Sequence, residues 1–265
     1  QGDKTMIITA TSLTPNQCKD IQSILQGIDP LALHGLDYPF FDEDALHFIY
    51  YQDLLPAAVL VLLHIKNQSF EVLAFTHKNF ENRGYFQALL SHAKKKHPLD
   101  QLTWILAKIS PKTKHLLKKF SAQYLDTEYT MERSLSSLPN QPSTYHLLPF
   151  DDRVDKFYEV WDKEKFIAQY GLFPLSQNHC FFYDFFVFPE YRHRGIGQNI
   201  LAQILKKMQE AGFTHILLHV SQSNEIACHL YLKQHFVIST SLHYYVSKIE
   251  RTADQTSTIT PNTIR

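Results

Sequence analysis

The stretch from Phe188 to Asn199, "FPEYRHRGIGQN", decides how the rest of the chain is read. It puts two of the chain's eight glycines, Gly195 and Gly197, one residue apart, directly behind Arg192, His193 and Arg194. The run before it, "CFFYDFFVF", is apolar or aromatic except for Asp184, which marks a strand. The run after it, "GQNILAQILKKMQEAG", places Ile200, Leu201, Ile204, Leu205 and Met208 on one helical face, with Gly212 as the stop. The glycines therefore sit in a strand-to-helix turn. The first N–H groups of a helix lack internal partners and lie at the positive end of its dipole. Glycine lets that backbone approach an anion with no Cβ in the way. The stretch reads as a diphosphate cradle, and the plainer alternative is a tight turn with a solvated basic flank. Neither GxxxxGK[ST] nor the third glycine of GxGxxG is present, which sets aside the P-loop and the dinucleotide fold.

Outward from the turn, one order of elements occurs twice. On its C-terminal side come strand "THILLHVS", helix "NEIACHLYLKQH" and strands "FVIST" and "HYYVSKIE". On its N-terminal side "KFYEVW" turns through "DKEK" into "FIAQYGLF" as a hairpin. The first half opens with helix "SLTPNQCKDIQSILQGID", capped by Thr14 or Asn16 and ended by Gly27. Strands "LHFIYYQD", "AAVLVLLHIKN" and "SFEVLAFTH" follow, the last two joined at Asn67-Gln68. Helix "NRGYFQALLSHAKKKHP", strand "LTWILAKIS", helix "PKTKHLLKKFSAQY" and strand "TEYTMERSL" complete it. "HKNFENRGYFQALL" lies over "FPEYRHRGIGQNIL" without a gap, Arg83-Gly84 over Arg194-Gly195. A divergent tandem duplication accounts for this order. It predicts an α/β (α+β) chain with domains at 5–135 and 145–250. The Ser- and Pro-rich segment 136–144 is the expected linker, and the polar tail 251–265 is expected to be disordered. The opening "QGDKTMII", which lacks an initiating Met, is set outside the fold.

Composition narrows the function. Lys+Arg and Asp+Glu balance at 26 each for a formal net charge of +0, which argues against nucleic acid or an acidic membrane as the main partner. The basic residues Lys94, Lys95, Lys96, Lys112, Lys114, Lys118 and Lys119 read as solvated helix faces, with a nucleic-acid patch as the lesser alternative. The 15 histidines show no paired metal-ligand spacing, so no metal is expected. Cys18, Cys180 and Cys228 form neither a disulfide framework nor a CxxC site, and point to reduced thiols in the cytoplasm. Cys228 reads as a structural thiol. No apolar run reaches membrane-spanning length, and no signal peptide is expected.

"VFPEYRHRGIG" resembles the acetyl-CoA signature of the GNAT superfamily of N-acetyltransferases, whose core is Q/R-x-x-G-x-G/A. Arg192, Gly195 and Gly197 fill its three defined positions, and Val187 and Pro189 fill the V-x-P ahead of it. The family's second motif is matched by Asn224, Ala227, Leu230, Tyr231 and Phe236 in "SNEIACHLYLKQHF". His235 stands where the family commonly has Gly. The resemblance covers about residues 145 to 250 and implies, in each domain, a mixed, mostly antiparallel twisted sheet flanked by helices. The first half keeps Arg83-Gly84, but Glu81 replaces the Q/R and Phe86 the last Gly. It resembles a degenerate copy without a catalytic role, and a second, poor CoA site is the weaker alternative.

The resemblance implies acetyl transfer from acetyl-CoA to a primary amine by direct attack. Phe186 and Val187 would meet the pantetheine arm or the thioester carbonyl. Backbone from Arg192, His193, Arg194, Gly195, Ile196 and Gly197 would hold the diphosphate, with Asn224 and Ala227 beside the cofactor; Asn224 is also the cap of its helix. Tyr231 takes the place of the general acid that protonates the leaving thiolate. Asp184 is the first candidate base, followed by Glu159 and His219. The expected partner is a small-molecule or peptide amine of unknown identity, and the expected state is monomer or homodimer. The alternative is an acyl-CoA-binding or scaffold module without turnover.

Overall fold

The computed structural model of the chain describes residues 4–136, 138–139, 144–150 and 156–249. Its elements run β1 (Thr5–Ala10), α1 (Pro15–Gln26), α2 (Pro30–Leu33), β2 (Ala45–Gln52), β3 (Leu55–Lys66), β4 (Ser69–Thr76), α3 (Tyr85–Lys96), β5 (Gln101–Leu106), α4 (Pro111–Lys119) and β6 (Gln123–Ser134). They continue with β7 (His146–Pro149), β8 (Lys156–Asp162), β9 (Lys165–Pro174), β10 (His179–Val187), α5 (Ile196–Glu210), β11 (His215–Ser221), α6 (Glu225–Lys233) and β12 (Val237–Lys248). By its contacts the chain divides into two compact units, Gln1–Asp126 with Leu242–Arg265, and Thr127–Ser241.

In the first unit the strand order is β1-β2-β3-β4-β5-β12, antiparallel except where β4 meets β5. The run "AAVLVLL" explains why β3 lies at its centre. Ala57 to Leu62 are all buried, with Leu60 and Leu62 in one core and Val59 and Val61 in the other. A strand covered on both faces reads as a continuous apolar run instead of an alternating one. On one face α3 contributes Leu89, Leu90 and Ala93, and on the other α1 contributes Ile21 and Ile24. Thr14 is the residue that starts α1. Its hydroxyl accepts from the Gln17 N–H at 3.3 Å, and the Gln17 side chain accepts from the Thr14 N–H at 2.8 Å, a reciprocal capping box.

The second unit has the order β6-β11-β10-β9-β8-β7, again antiparallel except for one parallel pair, β10 with β11. Helix α5 buries Ile200, Leu201, Ile204, Leu205 and Met208 against Tyr170, Phe182, Ile216 and Leu218. Its one buried polar side chain in that face, Gln203, is satisfied. The amide oxygen accepts from the Thr144 and Tyr145 N–H groups at 3.0 Å each, and its NH₂ donates to the Tyr145 carbonyl at 2.7 Å. The fold is therefore a mixed α/β one, mostly antiparallel and flanked by helices. No helix among the described residues is long and apolar enough to cross a membrane.

Several elements differ from expectation. The opening segment set outside the fold supplies the first part of β1, which pairs with β2 from Thr5↔Gln52 to Ala10↔His47. A six-residue edge strand carries too few residues for its alternation to stand out in sequence. "FVIST" and "HYYVSKIE" form one strand, β12, because no Gly or Pro interrupts them. Glu128–Ser134 lie against β11, and His243–Lys248 lie against β5. Residue periodicity encodes a strand's faces but not its partner. Part of the expected linker (137 and 140–143) and the whole of the expected tail 251–265 lie outside the described residues.

Helix α6 closes on Gln234, and His235 follows at φ 59°. That left-handed conformation is strained for a residue with a Cβ and free for glycine. We expect His235→Gly to stabilise the protein by about 0.5–1 kcal/mol, seen as a higher urea midpoint at unchanged m-value. A lower midpoint would mean that the imidazole contributes more than the backbone strain costs.

Candidate active site

The parallel pair in the second unit is short. β10 and β11 are in register from His179↔His215 to Phe181↔Leu217, whereas β10 pairs with β9 from Cys180↔Pro174 to Val187↔Ala168, well past the end of the parallel pairing. Parallel strands that part in this way leave an open wedge between their C-terminal ends. Beyond Val187, a 3₁₀ turn at Pro189–Tyr191 leads into the basic loop. His193 takes φ 59° and Gly195 φ 73°, and α5 begins at Ile196. Gly195 is the N-cap and no side chain caps this end. The first-turn N–H groups of α5 are thus left for an external acceptor.

The two glycines serve different purposes. A Cβ on Gly195 would meet nothing within 4 Å, so its requirement is the left-handed backbone. A Cβ on Gly197 would lie 3.6 Å from Val187 Cγ2, 3.9 Å from Leu230 Cδ2 and 4.0 Å from Phe185 Cε1. These are ordinary contacts, so the position admits a methyl group, but a long side chain would fill the space bounded by β10 and α6. Val187, Phe185, Leu230 and Gly197 therefore meet around one point, with Phe185 there in place of the expected Phe186.

Arg192 behaves differently from a simple anion ligand. Its Nε donates to the Val187 carbonyl at 2.7 Å, and its guanidinium carbon lies 4.8 Å from the Phe186 ring centroid. It latches the end of β10 while keeping its charge at the loop. Asn224 caps α6 by accepting from the Ala227 N–H at 3.2 Å. Cys228 is half-buried with its thiol directed at the Ser221 carbonyl, 3.5 Å away.

Tyr231 is buried in the core of the unit. Its ring lies 5.6 Å from Phe236 and edge-on to Phe182 at 6.5 Å, so it sits against the first residue of β10 past the parallel pairing. Burial, with a smaller contribution from Cys228, pushes its phenol up to about 12. The group stays protonated at neutral pH and has a proton to give.

The three base candidates lie on three different strands, Asp184 on β10, Glu159 on β8 and His219 on β11. Asp184 sits on a β-bulge between Tyr183 and Phe186, at φ 49°, and is exposed. Glu159 is half-buried, accepts from Trp161 Nε1 at 2.9 Å and pairs across strands with Gln169, which in turn faces Phe186. His219 is half-exposed, with Nδ1 3.8 Å from Glu128 Oε1 and its ring 4.9 Å from Phe181. Sequence reasoning missed the aromatic series that starts on β8: Trp161 on Phe166, Phe166 on Phe188, and Phe186 on Phe188, with centroids 5.5, 4.8 and 5.6 Å apart. It also missed Tyr183, whose ring lies on Gly171 so closely that a Cβ there would be 2.3 Å away. A lone glycine inside a strand was the available signal for that close approach.

The first unit repeats the loop residue for residue. A 3₁₀ turn at Lys78–Phe80 precedes Glu81, Asn82 takes φ 62°, Gly84 takes φ 79°, and α3 starts at Tyr85 without a side-chain cap. The side chains differ. Glu81 binds Lys112 at 2.6 Å, and Phe86 packs on Trp104 and Phe120 with centroids 6.0 and 6.1 Å away.

Residues 113–236 match the family model described as Acetyltransferase (GNAT) family. Residues 113–236 are thus similar to a GNAT acetyltransferase domain, and the comparisons with solved structures agree on the fold. A GCN5-related N-acetyltransferase from Sphaerobacter thermophilus superposes at TM-score 0.67 and 13% identity, over 92% of this chain and 96% of that one. A tandem GNAT protein from the clavulanic acid biosynthesis pathway superposes at 0.64 and 12%, over 94% and 100%. A GNAT-family acetyltransferase from Colwellia psychrerythraea does so at 0.61 and 12%, over 92% and 100%. No curated protein sequence matches the chain.

Proposed function

We propose that the protein is a tandem GNAT N-acetyltransferase of the cytoplasm whose second unit moves an acetyl group from acetyl-CoA to a primary amine. The observation that carries this reading is the Gly195–Gly197 turn at the mouth of the β10/β11 wedge, with Gly197 bounded by Val187, Phe185 and Leu230. The residues fit the cofactor: an uncapped helix start, bare backbone and the cations Arg192 and Arg194 suit a diphosphate. Bound acetyl-CoA supplies an activated thioester and a thiolate leaving group. Val187 and Phe186, at the end of β10, line the arm that reaches into the wedge. Holding that arm and the acceptor together accounts for much of the rate gain. Tyr231 gives its proton to the leaving sulfur.

An amine that is cationic at neutral pH must lose a proton before it attacks. Asp184, on its exposed bulge, takes that proton, with Glu159 and His219 as the other candidates. The first unit is a degenerate copy without a catalytic part, and Phe86→Ala is expected to leave turnover within about twofold of wild type. A large loss on that change would assign the chemistry to the first unit. Calorimetric titration with acetyl-CoA, followed by thiol release over a broad amine panel, tests the whole reading. Saturable binding with turnover of at least one amine supports it. Binding with no turnover favours the alternative, a non-catalytic acyl-CoA-binding module, and no binding refutes both.

A further inference from the structure

The first unit contains a cleft of about 790 Å³ where β4 and β5 part after Val72↔Trp104. Its size falls in the range of small-molecule sites. We propose that this cleft binds an amphiphile with an apolar body and a single anionic end, one that carries no nucleotide diphosphate.

The two units differ at matching positions of the same turn. In the second unit, the turn before α5 presents Arg192 and leaves Gly197 bare. At the same backbone positions the first unit has Glu81 and Phe86. Phe86 occupies the space over the loop, held by Trp104 and Phe120. Glu81 puts a carboxylate where a diphosphate would lie, and Lys112 is already committed to it. Bringing two or more further negative charges to Glu81 is opposed by like-charge repulsion.

What remains is a cleft with apolar walls that include Phe75, Phe80, Trp104 and Leu116. Arg83, Lys108 and Lys112 line it, against Glu81 and against Asp29, which pairs with Lys108 at 3.5 Å. Three cations to two carboxylates leave a surplus of one positive charge, which matches one anionic group. Apolar surface removed from water supplies the main driving force. This inference is independent of the acetyl-CoA assignment in the second unit.

The chain's two tryptophans make the test direct, since Trp104 lines the cleft and Trp161 lies on β8 of the other unit. In full-length protein carrying Trp161→Phe, Trp104 emission is followed during titration with dodecanoate below its micellar concentration, and separately with coenzyme A. Dodecanoate is expected to change the emission saturably, and coenzyme A is expected not to displace it. Ala74 is exposed on β4 and lines the cleft, so Ala74→Phe is expected to fill it and weaken dodecanoate by at least about tenfold. Calorimetry on the wild-type chain and on Ala74→Phe alone gives the same comparison should Trp161→Phe fold poorly. Displacement of dodecanoate by coenzyme A overturns the proposal, as do the absence of a saturable response and unchanged affinity in Ala74→Phe.

Discussion

Gly197→Trp is expected to lower acetyl-CoA affinity by at least about a hundredfold while the protein stays folded. The expectation follows from where the missing Cβ would point. Its neighbours at 3.6 to 4.0 Å are the side chains of Val187, Leu230 and Phe185, so the first carbon fits and everything beyond it enters the wedge. An indole there takes the place of the diphosphate and the adjoining arm. The fold has little reason to suffer, because replacing a helical glycine removes a backbone-entropy cost of roughly 0.5–1 kcal/mol. Gly197→Ala is the control, and its methyl group should leave binding within a fewfold of wild type. Titration calorimetry and thermal unfolding on the three proteins separate the cases. Unchanged affinity in Gly197→Trp would remove the cradle assignment altogether. A collapse of stability with Gly197→Ala would mean that the glycine is needed for packing and not for the ligand.

That turn was readable from sequence because each of its requirements leaves a residue-level trace. A left-handed N-cap asks for glycine, close approach asks for a second one, and the strand before it ends in V-x-P. The same holds for Thr14, whose capping box with Gln17 is a spacing, and for the hairpin at Asn67, which takes φ 51°. What escaped notice depends on relations between distant segments. Asp184 looks like a carboxylate inside an apolar strand, but the strand carries an extra residue there and turns the side chain out to solvent. No local pattern announces a bulge. The partners of β6 and β12 were equally hidden, because alternation sets which face a residue takes and is silent on which edge is joined. Phe86 was legible as a departure from glycine, but its packing on Trp104 and Phe120 joins residues far apart in the chain and leaves no local trace.

Tyr231→Phe is expected to reduce kcat by about a hundredfold or more, the usual contribution of a positioned proton donor, with acetyl-CoA affinity nearly unchanged. The ring keeps its contacts with Phe182 and Phe236, so the change removes one hydroxyl and no packing. The pH dependence separates this role from a structural one. Burial raises the phenol from its model-peptide value of 10.0 to about 12, which disfavours the phenolate in the folded protein. The resulting stability is fully present below pH 10 and is lost as pH rises through about 12, and Tyr231→Phe should abolish that alkaline loss. For the same reason wild-type turnover should show no decline attributable to this group below about pH 10. A structural tyrosine would give the stability effect alone. If kcat is unchanged in Tyr231→Phe while the alkaline unfolding shifts, the leaving sulfur takes its proton from elsewhere and Tyr231 is a core residue that happens to fall on the motif.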